Sequence, residues 1–432
     1  MASQQSGNLL KALGPGILFA GAAIGVSHLV QSTRSGAIYG LTLLPLIILV
    51  HLLKLPAMLA GPRYAAATGT SLLEAYRRQG RYTLAIFAVI VAGTAFAIVA
   101  AISMVTAAIF KAAVLVPVFG AADAELAWVC AGLLGVGACI LAAGGFAWLD
   151  SVMKALMVVM LVTTMVAAGA VLPRIDFSIS LAWPSGVTGA ASMVFIVALI
   201  GWMPAPLDIT VWNSLWTIAR SKRTGTSPTA RVFRAEFLIG FGLCLLLACA
   251  FAVLGSVVMR QNGVEPSPAP AAFVAQLFSL YESVFGPWIT PVIGASALAV
   301  MFSTLLTVLD ALPRSIVVLV ARFSGPERPW DDGATRDLSR TRGYWIAMAA
   351  IVLGAMLLVG RFRESMTGLV DLATTLSFLG TPLLAWFNHR AMTAPEVPVE
   401  FRPARLTRAV SFAAVVFFAA FAVVFLWSRF GI

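Results

Sequence analysis

A chain of 432 residues with 60% apolar and 11% charged side chains lies far from soluble proteins, in which about half of the residues are apolar and about a quarter charged. Mean hydropathy is +0.95 and the apolar residues come in runs long enough to cross a bilayer, so lipid is the solvent for most of the chain. A soluble enzyme, a nucleic-acid binder, a secreted disulfide scaffold and a disordered protein are excluded, and the formal charge of +11 is a matter of where the basic residues lie.

Eleven apolar segments follow in chain order: 14–37, 41–60, 82–112, 126–147, 151–172, 188–219, 234–259, 287–321, 343–360, 365–388 and 408–428. The expected fold is an all-α integral membrane protein with 11 transmembrane helices. Loops rich in Arg alternate with loops nearly free of it. One side collects 20 of the 29 Lys and Arg residues and the other 7, with Lys54 and Arg314 inside spans. The bias places the amino terminus in the cytoplasm and the carboxyl terminus outside, in a membrane of the bacterial inner type. The first segment follows a polar stretch, exceeds a signal h-region in length and lacks a small-residue cleavage pattern, so it reads as a span. Cys130, Cys139, Cys244 and Cys249 all fall in apolar runs, with no CxxC or Cys/His cluster, so a zinc or haem site is not expected.

The first span carries Ile24-Gly25-Val26-Ser27-His28, then Gln31, Ser32 and Arg34, an unusual density of polar groups at or near membrane depth. His51 and Lys54 sit in the second span, a helix-facing pair with no assigned role. Gly61-Pro62-Arg63-Tyr64, with Glu74 and Arg77-Arg78 beyond, reads as a short amphipathic helix that braces the inner side. The third span, 82–112, has no carboxylate. The sixth span contains Ile200-Gly201-Trp202-Met203-Pro204-Ala205-Pro206-Leu207-Asp208-Ile209-Thr210, two prolines and an acid in mid-span. Each proline lacks an N–H and clashes with the preceding turn, so the helix opens there. Residues 260–286 read as an outer loop with an interfacial helix. In the eighth span Asp310 and Arg314 are spaced to pair on one helix face.

The breaks in the first and sixth spans lie five helices apart, so the two halves enter the membrane in opposite senses. Matched interruptions in inverted halves point to the binding site of a secondary transporter. The halves are 1–172 (spans 1–5) and 188–388 (spans 6–10), with 404–432 an additional span. No nucleotide-binding motif is seen, and neither an enzyme nor a nucleic-acid partner is expected.

At these residues the chain resembles the NRAMP family of proton-coupled divalent-metal transporters, which have the LeuT-type fold of ten helices in two inverted repeats plus extra helices. The resemblance rests on Gly14-Pro15-Gly16, on Gly36-Ala37-Ile38-Tyr39-Gly40, on Ala67-Thr68-Gly69 and on Met203-Pro204. It covers the whole chain in helix count and order. The family's metal-binding Asp-Pro-Gly-Asn falls on Gly25, Val26, Ser27 and His28, so the anionic ligand is absent. The His after the family's Met-Pro is Ala205 here, a second family His falls at Thr210, and the acidic proton route of the third span falls near Ser103 and Thr106.

A dication stripped of water without a formal negative charge meets a severe desolvation cost. Two half-helix amino termini at the midplane, near Ser27-His28 and near Pro206-Leu207, suit an anion instead. The expected substrate is therefore a small inorganic anion such as bicarbonate, symported with sodium or protons. Gly25, Ser27, His28, Gln31, Ile200, Met203, Ala205 and Thr210 are the substrate-binding candidates. Arg34 stands about two turns beyond His28, and the alternative for it is the outer interface. For His28 the alternative is a packing histidine. The alternative substrate is a divalent or soft metal ion held by His28 and Met203, with Asp208 supplying charge. For the coupling ion the candidates are Ser303 and Thr304, facing first-span carbonyls near Ala22 and Gly25, and Asp208; back-bonding of the hydroxyls to their own helix is the alternative. No cofactor is expected beyond a bound sodium ion, and the partners are the small ion, its coupling ion and the bilayer. Asp371 has no evident place.

Overall fold

The computed structural model describes residues 23–144, 147–184, 189–224, 230–327 and 338–430. Within them the expected apolar segments are helical, because backbone in lipid has no water to satisfy its N–H and C=O groups. Eight helices are long and apolar enough to cross a bilayer, and Leu126–Ala142 and Ser192–Trp202 are shorter apolar helices. The helices that position the site are α1 (Thr33–Tyr39), entered through a π-helical stretch Ser27–Ser32, then α2 (Leu44–Thr68), α3 (Leu72–Gln79) and α4 (Arg81–Phe110). After α5 (Leu126–Ala142) and α6 (Ala147–Val171), the sixth segment is divided into α7 (Gly189–Trp202) and α8 (Ile209–Thr224). The remainder are α9 (Ala230–Leu254), α10 (Pro270–Phe285), α11 (Thr290–Ser324), α12 (Arg342–Arg361), α13 (Met366–Thr393) and α14 (Arg405–Phe430).

The helices that border the breaks are packed on long neighbours: α7 on α13, α8 on α2, and α4 on α11. Several helix approaches are too close for a side chain. A Cβ at Gly201 of α7 would overlap the Thr374 carbonyl oxygen of α13, and one at Gly36 would overlap the Ala252 carbonyl oxygen of α9. Gly255, one residue beyond α9, meets the Thr33 carbonyl in the same way. Small residues let membrane helices close to backbone contact, where dispersion and weak polar contacts replace the hydrophobic effect.

One expectation is corrected in detail. Gly61 to Tyr64 continue α2 rather than starting a separate helix, since Pro62 is accommodated inside it. The amphipathic helix is α3, and it starts at Leu72 after the left-handed Gly69 ends α2. Residues 260–286, expected as an outer loop with an interfacial helix, contain the helix α10, with Pro270 in its first turn.

The Arg-rich end is closed by a charge cluster around α3. Glu74, only 1% exposed, accepts from Arg77 at 2.8 and 2.7 Å, from Arg78 at 3.1 Å and from the Glu327 backbone N–H at 3.0 Å. Glu327 accepts in turn from the Ser71 N–H at 3.1 Å and its hydroxyl at 2.5 Å. Tyr64 donates to Glu396 at 3.0 Å. The cluster joins α2, α3, the end of α11 and the chain after α13.

Burial pushes the Glu74 carboxyl up, but the Arg77 contact, the Glu327 N–H and Arg78 outweigh it and hold it below the usual carboxylate range. Burial pushes the Glu327 carboxyl up in spite of Ser71. The signs differ. Stability from Glu74 is present above its unfolded value and lost as pH falls through its lowered one, whereas that from Glu327 is present below its unfolded value and lost as pH rises through its raised one. Glu74→Gln is expected to cost about 1–3 kcal/mol at pH 7, the worth of charged hydrogen bonds. The deficit against wild type should shrink as pH falls below about 4. Melting of the two proteins in detergent from about pH 2 to about pH 7 measures this; a deficit that does not change over that range would remove Glu74 from the account.

Candidate functional site

The backbone bends at Ile24-Gly25 and leaves the helix from Met203 to Asp208. Between these two openings lies a cavity of about 30 Å³, room for one small ion or a water or two. Gly25 and Ser27 line it from the first span, Ala205 and Pro206 from the sixth, and Trp202 and Thr304 close it. Among the described residues no charged side chain reaches its wall. Of the substrate-binding candidates, Gly25, Ser27 and Ala205 are brought to it. His28, Gln31, Ile200, Met203 and Thr210 are close in sequence to the wall but do not form it.

The charges stand behind the wall. Lys54 of α2 is fully buried and its Nζ donates to the carbonyls of Ile200 at 2.7 Å, Gly201 at 2.8 Å and Ala205 at 3.2 Å. These are carbonyls that the end of α7 and the opened segment leave without helical partners. Three acceptors require three N–H donors, which an ammonium has and a neutral amine lacks, so the geometry is that of a charged lysine. Asp208 sits immediately before α8, 3% exposed, where a carboxylate favourably meets the positive end of a helix. Neither of its oxygens has a hydrogen-bond partner. The carboxyl end of α7 thus meets the chain's own cation and the amino end of α8 its own anion.

Both ring nitrogens of His28 are engaged. Nε2 pairs with the Cys244 carbonyl at 3.1 Å, which makes it the N–H, and Nδ1 pairs with the Ser27 hydroxyl at 2.8 Å. The imidazole offers neither a lone pair to a metal nor a donor to an anion, and the substrate-binding expectation for His28 gives way to packing. Gln31 is likewise taken up elsewhere. It donates to Asp371 at 3.1 Å and accepts from Arg34 at 2.7 Å, and Arg34 grips Asp371 at 2.6 and 3.0 Å. Arg34, 8% exposed and stacked on Phe195, is not an interface residue, and Asp371 of α13 has its place as its partner. The cluster ties α1 to α13 at the Arg-poor end.

Met203 is buried and its sulfur takes a 3.9 Å contact from the Ser32 hydroxyl. Thr210 donates to the Leu207 carbonyl at 2.7 Å and accepts from Asn388 at 3.2 Å, while Tyr76 donates to Asn388 at 2.7 Å. Thr210 therefore belongs to a braced polar network between α8, α3 and α13, not to the cavity. Asp310 and Arg314 pair at 2.7 Å as their spacing implied.

Thr304 turns towards the first span, with its hydroxyl 3.1 Å from the Ile24 carbonyl and 3.0 Å from its own helix at Val300. Ser303 is half-buried on the neighbouring face and gives its carbonyl to Thr307 at 2.8 Å. Among the described residues the hydroxyl seen on the opened first-span backbone is that of Thr304. Ala22 lies outside the described residues.

Among the described residues no group of three or more His, Cys, Asp and Glu side chains could hold a metal ion. Sequence reasoning left Lys54 without a role. The signal was there, since a lysine at membrane depth is functional or paired by default, but carbonyl acceptors more than 140 residues away leave no mark on the sequence around it.

The natural resistance-associated macrophage protein-like family model matches residues 16–428. An uncharacterized protein of Pasteurella multocida is 32% identical over 387 residues, 87% of this chain and 84% of its own. The crystal structure of the Eremococcus coleocola manganese transporter with an aromatic bis-isothiourea compound superposes with a TM-score of 0.64 at 15% identity, covering 97% of this chain and 86% of the other. That of MhsT with L-phenylalanine gives 0.64 at 14% identity, covering 96% and 98%. At such identities a shared fold is shown and a shared substrate is not. The matched span, the apolar helices and the divided sixth segment make this chain a LeuT-type membrane transporter, not an enzyme, and it belongs to the natural resistance-associated macrophage protein-like family.

Proposed function

We propose that this family member is a secondary-active transporter of a small monovalent inorganic anion of the bicarbonate kind, with its Arg-rich end in the cytoplasm of a bacterial-type inner membrane. One observation carries the reading. The carbonyl oxygens that the broken sixth span would offer to a cation are taken by the Lys54 ammonium at 2.7–3.2 Å. A dication placed about 5 Å from that ammonium would be repelled by roughly 7 kcal/mol at an effective dielectric of 20. Lys54 and Asp208 together bring no net charge, and among the described residues no other acid at the break would compensate a dication. A monovalent anion needs less, since the half-helix amino terminus at Val26-Ser27 borders the cavity and suits a negative charge.

A metal ion is the second reading, and the comparisons speak for it rather than for the anion. The family is shared with it, a manganese transporter is among the similar structures, and the Met203 thioether is a soft ligand. Purified protein in proteoliposomes separates the two. Labelled bicarbonate is expected to enter above the protein-free background in sodium and in choline buffer alike, and labelled manganese is not. Saturable heat on titrating manganese into the protein, lost in Met203→Ala, would replace the anion by the metal.

A further inference from the structure

The break in the sixth span holds two opposite ionisable groups on either side of three residues that face or flank the cavity. Lys54 is fixed by the Ile200, Gly201 and Ala205 carbonyls, and Ala205 itself forms part of the wall. Asp208 lies between the lining residues Pro206 and Ile209, buried, with neither oxygen hydrogen-bonded. The two differ in freedom. Lys54 cannot give up a proton without leaving one of three carbonyls unsatisfied. Asp208 has only the N–H groups of its own residue and of Ile209 beside it, neither in good hydrogen-bond geometry, so it can take or lose a proton without breaking a side-chain hydrogen bond. Its surroundings are sparse in other charge: from α2 it faces Lys54 and from α3 Tyr76, whose hydroxyl is given to Asn388. On α11 the acid Asp310 is held by Arg314. Lys54 in turn faces His51, whose Nδ1 is bonded to the Ile47 carbonyl.

We infer that Asp208 and Lys54 form a proton-switched charge pair that couples one proton to one anion. The inference rests on the anion reading above. With Asp208 ionised the pair is neutral and the cavity has little hold on an anion. When Asp208 takes a proton from water on the Arg-poor side, its O–H bond forms and the Lys54 charge is left uncompensated behind the wall. The cavity then holds a monovalent anion. On the Arg-rich side the anion leaves, the Asp208 O–H breaks, and the proton follows into water. One positive and one negative charge have crossed, so the cycle moves no net charge. By linkage the proton raises anion affinity by the factor with which the anion raises proton affinity.

The test uses purified full-length protein in liposomes, with labelled bicarbonate as the probe, protein-free liposomes to subtract carbon dioxide entry, and valinomycin to clamp the potential. Permeating carbon dioxide brings any liposome to the same bicarbonate distribution in time, so entry is read as the initial protein-dependent rate within seconds. An inward gradient of one pH unit is expected to raise that rate by up to about tenfold for one-to-one coupling, and the clamp voltage is expected not to change it. Asp208→Asn keeps the side chain uncharged with Lys54 in place. It is expected to reduce the gradient-driven initial rate about tenfold while equilibrium exchange falls by less than about threefold. Should Asp208→Asn destabilise the protein, Asp208→Glu serves instead, and restored gradient dependence with a displaced pH midpoint supports the pair. Uptake by wild type that follows the voltage, or an undiminished pH response in Asp208→Asn, overturns the coupling pair while the anion reading stands. Absence of any bicarbonate uptake by wild type overturns both.

Discussion

Lys54→Met is expected to lower stability by about 3–5 kcal/mol, the cost of removing one partner from a buried charged arrangement, and to abolish uptake. Methionine fills nearly the same volume but gives no donor, so the Ile200, Gly201 and Ala205 carbonyls would each be left buried without a partner. Each such group costs about 1–3 kcal/mol. Asp208 would lose the one opposite charge that faces it. Lys54→Arg keeps the charge but places a planar fork where three carbonyls converge on a point, so an intermediate loss is expected. Melting in detergent, read by size-exclusion fluorescence, checks the order wild type, arginine, methionine. A methionine variant that melts with wild type would mean that the ammonium does not hold the break.

Gly201→Ala should do damage of a similar size, about 3 kcal/mol or more, by overpacking. The obstacle is the Thr374 carbonyl of α13, which is backbone and cannot rotate away. The added methyl has to push α7 off α13, and with it the 2.8 Å bond from the Trp202 indole to Ser377, beside the cavity wall. Gly242 in α9 is the control, since a Cβ there meets nothing within 4 Å. Gly242→Ala should be neutral or slightly stabilising, by up to about 1 kcal/mol of helix propensity. Equal melting temperatures for the two alanine variants would show that the α7–α13 approach is looser than described.

The fold was readable because its determinants are local. Proline pairs, glycine steps and long apolar runs act on their own segment, and the break in the sixth span falls where Pro204 and Pro206 stand. The Asp310–Arg314 pair was readable for the same reason, four residues on one helix face. The site was harder because its partners are remote. Gln31 and Arg34 looked like cavity donors until Asp371, 337 residues from Arg34, took them both. His28 looked available until the Cys244 carbonyl, 216 residues away, took its Nε2. A polar residue in lipid announces that it needs a partner, and its own neighbours in sequence do not say which.

The approach of Gly36 to α9 and of Gly255 to the Thr33 carbonyl has a mechanical meaning. Two backbones seated on each other through glycines leave no side chain to slide or re-rotamerise, so such a contact bears load but does not hinge. Arg260, just past Gly255, extends the seat: its guanidinium reaches the Ile38 carbonyl at the end of α1 and the carbonyls of Ile179 and Ala182 in the loop before α7. The Arg-poor half of the first span is therefore not a free flap. It is one arm of a strut that includes the far end of the seventh span and the loop, so a displacement of any one of the three is carried to the other two.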